Sequence, residues 1–165
     1  ILKDAKGNYF EDNDERAIFF AWGVLETVKK LRWAPDIVHC HGWFTNLVPL
    51  YIRRAFKEDP IFHNSKIIYS IYNDDFPKPL NPEYKRKLIV DGVLDEDINI
   101  LENPSFENVT KMAINISDAV IIGSETINPE IQDYLGKIDK PVLEYHNPEQ
   151  YIEAYSSFYD KILES

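Results

Sequence analysis

A chain with one cysteine, Cys40, has no internal disulfide. Packing alone must hold the fold, and the composition fits a reducing compartment. Long apolar runs are also missing. None approaches the ~20 residues that cross a bilayer, so no membrane span is expected. Cations are in short supply, with 18 Lys and Arg against 28 Asp and Glu, a net charge of -10 and a pI near 4.8. Such a chain repels phosphate backbones and anionic lipid on average, which argues against nucleic acid or a membrane as partner. The opening "ILKDAKGNYF" has no initiating Met and no signal-peptide pattern. A cytoplasmic location is therefore expected, and residue 1 is expected to fall inside a longer sequence. Internal repeats and low-complexity linkers are absent, so residues 1–165 are expected to form a single, N-terminally incomplete domain.

What is present is core material. Apolar residues make up 44% and aromatics 13% of the chain. At this length roughly 70% of the surface is buried on folding, which excludes a disordered chain. "FEDNDERAIFFAWGVLETVKKL" predicts a helix, with Asp12 and Glu15 spaced as a capping box and Asn13 as the alternative cap. Ile18, Ala21, Trp22, Leu25 and Val28 make one apolar side, and Phe19, Phe20 and Val24 a second, which predicts a well-buried helix.

"PDIVHC" is a short β-type run, followed by a helix expected over 43–56 with Pro49 near its first turn. Residues 66–72, "KIIYSIY", are nearly unbroken β-formers, as in a strand buried on both faces. "NDDFPKPLNP" is broken by prolines. "EYKRKLIVDG" suggests a short helix ending at Gly92, and "LDEDINILENP" an exposed acidic stretch. A helix capped by Ser105, a strand over 118–124, a helix between Pro129 and Gly136, a strand in "KPVLEY" and an amphipathic final helix complete the pattern. In that last helix Tyr151, Ala154, Tyr155, Phe158 and Ile162 share a side, expected to dock on the chain's own sheet, with self-association as the alternative.

Helices alternating with short apolar strands predict an α/β, Rossmann-like parallel sheet with helices on both faces. Right-handed crossovers then gather the C-terminal strand ends on one edge, where ligands bind. His41-Gly42, Tyr72-Asn73 and Ser124-Glu125 all follow strands and should meet there. Strand alternation puts His39 and His41 on one face and turns Cys40 away, as a small buried residue rather than a nucleophile. Two imidazoles at that spacing suit zinc, but His63 and His146 have no fixed relation to them, and no metal site is assigned. Gly42 permits a tight turn and Trp43 is expected to pack. Asp74 and Asp75 are expected as solvated turn formers, while Asn73 is the better placed for a ligand contact. Ser124 is expected to cap the next helix, since no G-x-S-x-G elbow surrounds it.

Four blocks carry a family resemblance: "DNDERAIFF", "PDIVHCHGWFTNLVPLYI", "KIIYSIYN" and "KMAINISDAVIIGSETINPEI". In order and approximate spacing the chain resembles the N-terminal catalytic domain of bacterial glycogen and starch synthases of the ADP-glucose type. The resemblance implies one half of a GT-B glycosyltransferase, the half facing the acceptor glucan. The implied reaction moves glucose from ADP-glucose to an α-1,4-glucan, with no cofactor beyond that donor. It also implies substrate contacts at His39, His41, Gly42, Trp43, Tyr72, Asn73 and Lys111. Gly42 stands where the family pattern has an aspartate, and Tyr72 where it has a histidine. No catalytic residue is assigned. Two readings stay open. One is a glucan synthase, inactive or very weak as this isolated chain. The other is a non-catalytic module that binds α-glucan, a separate protein or a second copy, with Tyr72, Trp43 and Phe76 as stacking rings.

Overall fold

The computed structural model describes residues 2–165. Strands β1 (Ile37–His41), β2 (Lys66–Ile71), β3 (Ala119–Ile122) and β4 (Val142–Leu143) form one parallel sheet, ordered β1-β2-β3-β4. The register sets Ser70 beside His41 and Ile71 beside Ile122, so the strand ends lie level along one edge. Neighbouring parallel strands joined by right-handed crossovers put every connection on the same face. That face packs under α1 (Asn13–Lys30), α2 (Leu47–Arg53), α5 (Phe106–Ile116) and α6 (Pro129–Leu135), around Cys40, Ile67, Tyr69, Ile71 and Val120. The other face is covered by α7 (Tyr151–Leu163), whose Phe158 and Ile162 seat on Ile68, Ala119 and Ile121. The expected α/β sheet with helices on both faces is present, and the final helix docks on its own sheet.

Local chemistry explains several of these elements. Ser105 accepts the Asn108 N–H and starts α5, and Asn128 accepts from Glu130 and Ile131 to start α6 with Pro129 in its first turn. Lys140 donates to the carbonyls of Ile114, Asn115 and Ser117, capping the C-terminal end of α5 with a cation.

Other expectations need correction. Asp12 stands at the start of α1 but makes no capping bond. Its carboxylate instead holds Arg16 at 2.8 Å, and Glu15 reaches Lys87 at 2.7 Å. The second apolar side of α1 is not buried: Phe19 is 81% exposed, and Phe20 and Val24 are open as well. The helix expected over 43–56 is a 3-10 turn at Trp43–Thr45 followed by α2. The short helix α3 (Tyr84–Lys87) stops five residues before Gly92. The acidic stretch is not simply exposed, because α4 (Asp95–Ile98) and the following turn bury Ile98 and Leu101, and Arg54 grips Asp97 at 2.5 and 2.7 Å. Among the described residues no helix is long and apolar enough to cross a membrane.

Candidate functional site

The strand-edge row assembles as the pleat requires. His39 and His41 share the α7 face with ring centroids 3.9 Å apart. His41 Nδ1 lies 2.8 Å from the Tyr72 hydroxyl. His39 is held from both sides, by Ser70 Oγ at Nε2 and by the Tyr159 hydroxyl at Nδ1, each at 2.6 Å. The Asn73 N–H donates to Ser124 Oγ at 3.1 Å, which closes the row onto β3. Ser124 therefore ties two strand ends together, and the expected capping role belongs to Asn128.

Burial and the neighbouring His41 push His39 down to about 3, so it stays neutral at physiological pH. Burial alone lowers His41. With both nitrogens of His39 engaged by hydroxyls, it is a positioned ring rather than an open ligand. Among the described residues no group of three or more His, Cys, Asp or Glu side chains gathers for a metal ion. Cys40 points to the opposite face, where burial pushes its thiol up to about 12.

Two glycines at this edge are fitted to side chains from the end of β2. A Cβ on Gly123 would lie 2.5–2.9 Å from three atoms of the Tyr72 ring. A Cβ on Gly42, whose φ is +70°, would lie 2.5 Å from Asp74 Oδ2. Asp74 is thus not a solvated turn former. It is partly buried, and its Oδ1 is shut from solvent without a hydrogen-bond partner. Desolvation raises its carboxyl to about 6, against the pull of the Trp43 N–H. The pairing escapes sequence reasoning because residues 42 and 74 meet only across neighbouring strand ends.

Trp43 and Phe76 are 2% and 7% exposed and pack on each other at 4.8 Å, so neither offers a free face for a sugar ring. Their outer edges instead back a groove of about 680 Å3. Tyr9, Phe10, Asn13, Lys78, Pro79 and Asn81 are among its lining residues. The Tyr9 hydroxyl donates to the Asp75 carbonyl at 3.3 Å, bridging its two walls. Asn13 is 3% exposed; its nitrogen donates to the Leu2 carbonyl, and its oxygen has no partner. No periodicity marks Tyr9, in the segment before α1, or Lys78, in the loop after β2. Lys111 stands apart from the row. On α5 it pairs with Glu130 and lies 5.4 Å over the Tyr134 ring.

Residues 2–142 match the family model described as the starch synthase catalytic domain. The glycogen synthase of Clostridium perfringens is 34% identical over 138 residues, 79% of this chain and 28% of that protein. That of Geotalea uraniireducens is 36% identical over 128 residues, 78% of this chain and 26% of that protein. Among solved structures, the catalytic domain of starch synthase IV from Arabidopsis thaliana, bound to ADP and acarbose, matches with a TM-score of 0.64 and 18% identity. That match covers 85% of this chain and 31% of the neighbour, which places the sheet in a GT-B-type fold. The chain spans between a quarter and a third of the length of these relatives, and α7 lies beyond the residues that the family model matches. On the family match and the two glycogen synthases together, the chain belongs to the starch synthase catalytic domain family.

Proposed function

We propose that this chain is the acceptor-side part of an ADP-glucose-dependent glucan synthase, binding an α-1,4-glucan at the C-terminal edge of its sheet. The observation that carries the reading is the groove beside Trp43 and Phe76. It sets ring and proline surfaces against the polar groups of Lys78 and Asn81, beside Trp43 at the turn that follows β1. Sugars present C–H faces to rings and hydroxyls to amides, so a mixed wall of this kind suits a saccharide. Transfer of glucose needs a preorganised cleft closed from two sides. One wall, with Gly42 and Tyr72 at its edge, is expected to bind without turning over.

Calorimetric titration with linear maltooligosaccharides tests the reading, and binding is the expected result. Labelled glucose from ADP-glucose should stay untransferred with the chain alone and move only when a nucleotide-sugar-binding domain is supplied. Absence of any maltooligosaccharide binding would remove the proposal. A second reading, docking of a separate polypeptide, is favoured by the exposed row of Phe19, Val24, Leu31 and Trp33 along α1 and the turn that follows it. It predicts retained glucan binding when Phe19 and Leu31 become polar, with loss of the partner only.

A further inference from the structure

We propose that Asp74 is a ligand-contacting carboxylate of the strand-edge crevice, accepting a hydroxyl of a bound neutral saccharide. The inference rests on the glucan reading and adds a residue to it. Three observations converge on this side chain. The Cα of Gly42 is left bare beneath it, since a Cβ there would lie 2.5 Å from Oδ2 and 3.6 Å from Cγ. The same Gly42 Cβ position lies 3.8 Å from Tyr72 Cδ2, so the carboxylate sits beside the ring that reaches His41. Its Oδ1 accepts no hydrogen bond from the protein and is covered, so it meets a ligand hydroxyl only when the carboxylate turns outward. An acceptor left in that state is costly to a fold, and functional sites are where such groups persist.

The charges around Asp74 select the kind of ligand. Asp75 adjoins it with the same sign, and the phenols of Tyr69 and Tyr72 are pushed up in part by its charge. Burial disfavours the charged form of His41, the residue before Gly42. Among the described residues, none of the groups acting on Asp74 is a cation. A diphosphate or other anion is repelled here, the more so by a chain of net charge -10. A neutral polyol supplies what the site lacks, an O–H donor, and lays its C–H surface on the Tyr72 ring. A hydrogen bond to an ionised acceptor is among the strong ones. Asp74 therefore biases this edge toward glucan and against a nucleotide sugar.

The test is calorimetry with maltohexaose on wild type, Asp74→Ala and Asp74→Asn, with thermal unfolding run on each to confirm an intact fold. Asp74→Ala should weaken binding about 10-fold or more, the scale of a lost charged hydrogen bond. Wild-type affinity should fall as pH drops through about 6, where the carboxyl takes up its proton. Asp74→Asn should bind with no such step, and a step that survives in Asp74→Asn belongs to another group and counts against the proposal. Wild-type binding matched within twofold by Asp74→Ala would overturn the role of Asp74 and leave the glucan reading standing. A wild type that does not bind maltohexaose overturns both.

Discussion

Gly123→Ala is the sharpest probe of the edge, because it adds one methyl group and nothing else. Gly123 is not among the positive-φ glycines, so alanine meets no backbone strain there. The new Cβ would lie 2.5, 2.7 and 2.9 Å from Cε1, Cζ and Cδ1 of Tyr72, inside any real contact distance. Either the ring stays and the site is overpacked, at about 1–3 kcal/mol, or it swings away. Swinging breaks the 2.8 Å contact with His41, worth about 1 kcal/mol.

The two routes together predict a loss of about 1–3 kcal/mol, read in urea as a midpoint shift of about 0.5–1.5 M for a slope of ~2 kcal/mol/M. Truncating the ring first removes the clash, so Gly123→Ala should be nearly neutral in a Tyr72→Ala background. The cycle should then return a coupling of about 1–2 kcal/mol. If the ring swings out, His41 regains solvent and its lowered pKa rises toward the ordinary imidazole value, which NMR titration follows. A Gly123→Ala variant within 0.5 kcal/mol of wild type, on the scale of an ordinary surface change, would refute the fitted-ring account.

Three further outcomes follow from contacts already described. Asp97, whose side chain is 7% exposed, is held below the usual carboxylate value of 3.8 first by its hydrogen bonds to Arg54. The stability this gives is complete above the unfolded pKa and is lost as pH falls through the lower folded one. Asp97→Asn should cost about 2 kcal/mol in urea unfolding at neutral pH and flatten that acid limb. Cys40 should resist thiol reagents in the native protein and react at the unfolding rate, since burial both covers it and pushes it up to about 12. Phe158→Ala should cost about 3–5 kcal/mol and raise hydrogen exchange across α7, whereas Tyr159→Phe should cost only about 1 kcal/mol through His39.

What the sequence made legible was set by periodicity and punctuation. Short apolar runs of β-formers between turn residues located β1, β2 and β3 to within two residues, and Ser105 and Pro129 marked real helix starts. The edge cluster followed from strand order alone, and His41, Tyr72, Asn73 and Ser124 meet there. Periodicity failed where it measures polarity instead of cover. Phe19, Phe20 and Val24 repeat like core residues, yet nothing packs over them enough to bury them. The acidic run from Asp95 hid Ile98 and Leu101, because two apolar residues three apart on one turn carry too weak a signal.

The site depends on features that no spacing encodes. Gly42 and Asp74 lie 32 positions apart, and Gly123 and Tyr72 lie 51 apart. Each pair is joined only because parallel strands bring their C-terminal ends level. Taken singly, Gly42 is a lost carboxylate and Asp74 a turn former. Together they place a carboxylate oxygen 2.5 Å from where a side chain at position 42 would begin. A glycine at a strand end therefore has to be judged by what fills the space its missing Cβ leaves. Here a carboxylate and a phenol from the tail of β2 fill it, and the polar character of the edge is kept by different residues.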